Sequence, residues 1–293
     1  MRFILISLLT LMSSCAFTQT DPEKEFNKPA IQTMKNCFSG NFSFYDDFSS
    51  FIHSKTVDGE KRKGGIISRE TFNKAKNEND CHYISYPNDG LNIVGVMVKP
   101  KQAKGKLPLI IYNRGGNGAF GANKFSSLFN YAFPYTEQGF MVMASQYRGH
   151  SKKREGFDEF GGADVGDVIK LLDLAKQMPE VDKDNIFVYG VSRGGMMTYM
   201  TLKQRDDINA VATIAACTDL ISELDFRPAM ERVYKKRIPD YQNKKLSSLK
   251  NRSVYYWADQ LPKHTPILIL HGSEDKRVSV QNAYKLTGKA RGV

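Results

Sequence analysis

Apolar and polar positions mix without a clean period from residue 17 to about 80, and the pattern changes at residue 82. "HYISYP" (82–87) and "NIVGVMVKP" (92–100) read as two strands around the turn Asn88-Asp89-Gly90. "LPLIIYN" (107–113) and "GFMVMAS" (139–145) are short, continuously apolar runs, as expected of strands covered on both faces in a parallel sheet. A helix is expected between them over 124–138. Over 163–178, Val165, Val168, Ile169, Leu172 and Ala175 fall on one helical face. "NIFVYG" (185–190), a helix over about 193–204, "INAVATIAA" (208–216) and "PILILHG" (266–272) complete the series. Strands alternating with helices predict an α/β fold, a mostly parallel, doubly wound sheet flanked by helices. Residues 217–262 interrupt the alternation with charged, helical sequence, either a small cap over the C-terminal edge of the sheet or a long crossover. Residues 17–81 are expected to form an N-terminal extension that wraps the body, with an exposed loop at "DGEKRKGGI" (58–66).

The amino terminus adds an address. Arg2 precedes the apolar stretch Phe3–Met12, and the small residues Ser13, Ser14, Cys15 and Ala16 follow. That run is about half the length a bilayer-spanning helix needs, so residues 1–16 read as a cleaved export signal. Cys15 after two serines also resembles a bacterial lipoprotein processing site, with Met12 where leucine is usual; plain cleavage near Ala16 is the alternative. The expected location is therefore the periplasm, the outer membrane through a lipid on Cys15, or the exterior. Cys37, Cys81 and Cys217 allow one disulfide, and their spacing suggests neither a metal site nor a cofactor site. The net charge of +11 invites a nucleic-acid partner, but the densest cluster (Lys152, Lys153, Arg154) is short and no such module is legible. The excess is read as a solvated surface, and no nucleic-acid partner is expected.

The chemistry gathers at "NIFVYGVSRGGMMTYM" (185–200). A strand runs into Gly190-Val191-Ser192-Arg193-Gly194 and a helix leaves it, the arrangement that exposes a nucleophilic serine on a strained elbow. Gly190 and Gly194 leave room around the turn, and the backbone N–H of Arg193 is placed to meet a developing oxyanion at a helix start. In "ILHGSEDKRV" (269–278), Asp275 is the expected acid that orients a histidine, with Glu274 and Asp219 as alternatives. His271 reads as a buried, hydrogen-bonded residue that shapes the acid loop. In "YNRGGNG" (112–118), Gly115 and Gly116 are candidates for the second oxyanion donor.

Residues 82–293 resemble the catalytic α/β-hydrolase domain of the prolyl oligopeptidase family of serine peptidases. The resemblance is carried by "IIYNRGGNG", "YRGHSKKREGFDEFGGADVGDVIKLLDLA", "VYGVSRGGMM" and "SVYYWADQLPKHTPILILHGSEDKRVSV", in that order. It implies the α/β-hydrolase fold, Ser192 as nucleophile, Asp275 as triad acid and the Arg193 N–H as oxyanion donor, with no cofactor and no metal. Arg114 stands where several members place an oxyanion-stabilising tyrosine; its guanidinium could be a charged donor or a substrate clamp, or could point away. No β-propeller is legible ahead of the domain in this sequence, so the gating and amino-terminus-binding residues that a propeller supplies are not expected to carry over.

The family order Ser, Asp, His is incomplete here. The five histidines are His53, His82, His150, His264 and His271, and none follows Asp275. His150 lies at the right edge of the sheet, but nothing in the family pattern puts a base there. The expectation is a chain truncated before the last strand, the histidine and the final helix. Loss of that base costs on the order of a million-fold in turnover. The sequence thus predicts a serine hydrolase acting through an acyl-enzyme, on peptides or, alternatively, small esters as in acetyl esterases or dienelactone hydrolases. A non-catalytic scaffold that binds without turnover is the reading from a different class.

Overall fold

The computed structural model describes residues 31–54, 56–57, 60–61, 67–150 and 155–290. The export signal, Cys15, the basic cluster at 152–154 and most of the loop at 58–66 lie outside them. The first strand, β1 (Thr33–Asn36), pairs antiparallel with β2 (Asn79–Asn88), which pairs antiparallel with β3 (Leu91–Pro100). Then come β4 (Leu107–Asn113), β5 (Met141–Ser145), β6 (Val181–Val191), β7 (Ala210–Ile214) and β8 (Ile267–Leu270). The order across this eight-stranded sheet is β1-β2-β3-β5-β4-β6-β7-β8. From β5 to β8 every neighbour is parallel, so the alternation of strands and helices gives the doubly wound sheet.

Burial explains why the central strands read as continuous apolar runs. All five residues of β5 are buried, and Leu109 and Ile111 of β4 are fully so. Each buried Met, Val, Leu or Ile among them contributes roughly 1.5–3 kcal/mol of transfer free energy. At the far edge β8 alternates between half-buried and exposed residues, with Leu268 and Leu270 exposed. The extension carries α1 (Tyr45–His53) and α2 (Arg69–Glu78), whose Phe48 and Phe72 pack with Phe125 and Leu128 over one sheet face. A disulfide joins Cys37 to Cys81 and fixes this layer to β2.

The continuous helix expected over 124–138 is broken into a 3-10 turn and two single turns, α3 (Leu128–Tyr131) and α4 (Phe133–Thr136). The break falls at Ala132 (φ −120°, ψ −62°), and Pro134, in the first turn of α4, has no N–H to continue the ladder from α3. The next helix, α5 (Asp164–Ala175), buries Val165, Val168, Leu171, Leu172 and Ala175, while Ile169 is only half-buried. After the elbow comes α6 (Arg193–Leu202). The charged stretch 217–262 forms α7 (Leu220–Phe226), α8 (Met230–Arg237) and α9 (Tyr241–Arg252), then two 3-10 turns. The last element is α10 (Gln281–Ala290). Among the described residues no helix is long and apolar enough to cross a membrane.

Candidate active site

Ser192 sits between β6 and α6 with φ 58° and ψ −122°, a conformation that L-residues adopt only at a cost of about 1–3 kcal/mol. The surroundings hold it there. Its N–H donates to the Ile214 carbonyl at 2.8 Å, and its carbonyl accepts from Gly195 N–H at 2.9 Å. A Cβ on Gly194 would overlap the Asn113 carbonyl, and one on Gly190 would overlap the Gly194 carbonyl. Both positions of the motif are therefore glycine for lack of space. Gly115 approaches from the other side: a Cβ there would stand 3.4 Å from the Ser192 Cβ. Among the described residues the amides of Arg193 and Gly115 have no hydrogen-bond acceptor, so both are free to meet an anion beside Ser192.

The side chain of Arg193 turns back beneath the elbow and is 1% exposed. Its Nη1 donates to Asp158 Oδ2 at 2.8 Å and to the Gly116 carbonyl at 3.0 Å, while Nη2 meets Asp158 Oδ1 at 2.8 Å and Asp164 Oδ2. Tyr147 and Phe160 flank the guanidinium, with ring centroids 5.0 and 4.8 Å away. Burial alone would make it easier to deprotonate, but the carboxylates of Asp164 and Asp158 more than offset this and raise its pKa. Burial opposes ionisation of Asp158 too, yet Arg193 holds its carboxyl below the usual range. Asp158 Oδ2 also accepts from the Gly118 N–H at 2.6 Å. The elbow and the glycine loop are thus tied through one carboxylate.

Arg114 points away from Ser192. It is fully buried, and its guanidinium donates to the carbonyls of Gly115, Gly118, Phe120 and Gln146 at 2.7–3.2 Å. Burial, with the like charge of Arg193, pulls its pKa down to about 10, so it stays protonated at neutral pH. With every donor committed to backbone, it is an internal brace of the glycine loop and not an anion donor. The Gly116 carbonyl accepts from Arg193, and its N–H, like those of Gly115 and Arg193, has no hydrogen-bond acceptor among the described residues.

The acid loop follows β8. Asp275 Oδ1 accepts from the N–H groups of Arg277 (2.7 Å) and Val278 (3.1 Å), and Oδ2 lies 3.7 Å from His271 Nε2. His271 Nε2 bonds the Val278 carbonyl at 3.0 Å and braces the loop as expected. Glu274 is exposed, and Asp219 caps α7 by accepting from the Ile221 and Ser222 N–H groups. A pocket of 180 Å³ holds Ser192 and Arg193 with Gly116, Phe120, Phe160, Cys217, Glu223, Met230, Val233, Arg277 and Val278 among its walls. The pocket includes no histidine: neither His150 nor His271 lines it. A larger pocket of 410 Å³ between β8 and α10 contains no serine, cysteine or histidine. Among the described residues no group of three or more His, Cys, Asp or Glu side chains is disposed to hold a metal.

Two neighbours of Ser192 carry no motif in the sequence. The Cys217 thiol, within hydrogen-bonding reach of the serine side chain, is pushed up to about 12 by burial and by Glu223, so it stays protonated. Glu223 is buried and raised to about 7, chiefly by desolvation. The one signal for it was an acid at the third position after Leu220, on the apolar face of α7.

Residues 125–291 match the model of the prolyl oligopeptidase family. The chain belongs to that family. Among its relatives, an uncharacterised peptidase of Bacillus subtilis, YtmA, is 28% identical over 228 residues, 77% of this chain and 85% of the relative. A probable dipeptidyl-aminopeptidase B of Arthroderma otae is 27% identical over 76% of this chain and only 25% of its own length. In fold, the acylaminoacyl peptidase of Pyrococcus horikoshii is similar with a TM-score of 0.63 at 19% identity, over 80% of this chain and 38% of that one. The family and the sheet order together make this an α/β-hydrolase fold, and the chain is a peptidase-like hydrolase of the family.

Proposed function

We propose that the chain is an exported serine hydrolase that cleaves peptides by acyl transfer through Ser192. The single observation that carries this reading is the strained elbow, which presents Ser192 between the free amides of Arg193 and Gly115. The hydroxyl attacks the scissile carbonyl, the amine leaves, and water resolves the acyl-enzyme. The developing oxyanion is met by two backbone N–H groups, one of them at the start of α6. An imidazole base takes the serine proton and returns it to the leaving amine. Asp275, whose Oδ1 is fixed by two backbone N–H groups, is the carboxylate to orient it. No histidine among the described residues lines the pocket to supply it. The disulfide Cys37–Cys81 supports export, because such bonds persist in oxidising compartments.

Turnover of amino-acyl nitroanilides against p-nitrophenyl acetate tests the substrate class. With imidazole supplied as base, nitroanilide cleavage that Ser192→Ala removes is the expected result. Ser192-dependent turnover of the ester alone would favour the esterase reading. Absence of any Ser192-dependent turnover would favour the binding scaffold.

A further inference from the structure

Besides the neutral Cys217 thiol, the pocket around Ser192 contains three ionisable side chains that this chemistry leaves unused. Glu223 of α7 is 1% exposed, and only one of its oxygens is engaged. Oε2 accepts from the Asn282 side-chain amide at 2.9 Å and from the Ser279 N–H at 3.4 Å. Oε1 is buried and, among the described residues, has no hydrogen-bond partner. Arg227, at the C-terminal end of α7, and Arg277, on the acid loop, line the same pocket. Neither forms an ion pair with a described carboxylate, and Arg277 lies over the Phe120 ring, 5.5 Å from its centroid.

We propose that this pocket selects substrates that present a carboxylate to it, with Arg227 and Arg277 as cationic partners and Glu223 donating a hydrogen bond from Oε1. A buried carboxyl oxygen with no donor beside it is favoured as O–H, and an O–H in a pocket needs an acceptor. A guanidinium matches a carboxylate in shape and charge better than any other side chain. The groups facing Glu223 are Arg227 on its own helix, Cys217 after β7, Tyr234 on α8, and Asp275 and Arg277 on the acid loop. Burial pushes the Cys217 thiol to about 12 and the Tyr234 hydroxyl well above its ordinary value, so both are neutral. Asp275 raises the Glu223 pKa and Arg227 lowers it, but burial is the largest cause and leaves it at about 7. An arriving anion raises it further, so binding near neutral pH takes up a proton and weakens as pH rises. The overall charge of +11 favours the approach of acidic substrates. The carboxylate comes either from an acidic side chain or from a free carboxy terminus. The inference deepens the proposed function and rests on its assignment of this pocket to substrate.

Calorimetric titration of the full chain tests it, with N-acetyl-glutamic acid α-amide, N-acetyl-leucine, N-acetyl-leucinamide and N-acetyl-lysinamide, at about pH 6 and about pH 8. At the lower pH a carboxylate ligand is expected to bind about tenfold tighter than N-acetyl-leucinamide, with proton uptake. Preference for the glutamic amide assigns an acidic side chain, and preference for N-acetyl-leucine a free carboxy terminus. Arg227→Gln and Arg277→Gln should each weaken that binding about tenfold without changing N-acetyl-leucinamide. Glu223→Gln should keep the affinity at low pH and lose its fall at high pH, because the amide N–H replaces the carboxyl O–H. Equal affinities, no measurable binding of either carboxylate ligand, or preference for N-acetyl-lysinamide abolished by Glu223→Gln would each overturn the proposal. No covalent step is read here, so failure is separable from failure of Ser192 to act as nucleophile.

Discussion

Arg193→Met is expected to destabilise the protein by about 3–5 kcal/mol, the cost of breaking a buried ion cluster from one side. The substitution fills similar space but strands Asp158 and Asp164, each 0% exposed, without their cation. Against a total stability of about 5–15 kcal/mol, that is a large fraction. It should appear in scanning calorimetry as a fall in Tm of about 10 °C. The loss also reaches the chemistry, because Asp158 holds Gly118 and Arg193 holds Gly116, and both brace the loop beside Ser192. Arg193→Lys keeps the charge but not the fork, and an intermediate fall is expected. A melting point for Arg193→Met within about 2 °C of the parent would show that the cluster is not what holds the elbow.

The second large effect lies away from the site. The disulfide closes a separation of 44 residues, and in the chain-entropy model such a crosslink stabilises by about 4 kcal/mol. The Cys37→Ala, Cys81→Ala double variant is expected to melt about 10 °C lower, and reductant should lower the parent protein to match. The affected layer is the packing of Phe48 and Phe72 against Phe125 and Leu128. Loss of α1 and α2 protection in hydrogen exchange, before that of the parallel strands, is the local signature. A reductant-insensitive Tm would contradict the account.

How much was legible follows from what leaves a periodic or local trace. The central strands β4 and β5 announced themselves because both their faces are covered, and they were readable almost to the residue. The elbow was legible because glycine is forced on both sides of Ser192 within five residues. The Arg193 cluster was not: Asp158 and Asp164 lie 35 and 29 residues before it, and only the folded loop brings them under the elbow. Arg114 reads as a site residue beside two glycines, and nothing local says that its guanidinium is aimed at carbonyls. Glu223 is hidden for the same reason, since its environment is assembled from β7, α7, α8 and the acid loop. The helix expected over 124–138 fails at Ala132, two residues before Pro134, whose missing N–H overrides the apolar pattern.

The central claim is that Ser192 is an activated nucleophile. It is tested most directly by reacting the protein with a fluorophosphonate, imidazole supplied as base, and mapping the adduct by mass spectrometry. The account predicts a single adduct on the peptide containing Ser192, absent from Ser192→Ala. No adduct, or one that maps elsewhere and persists in Ser192→Ala, would contradict it.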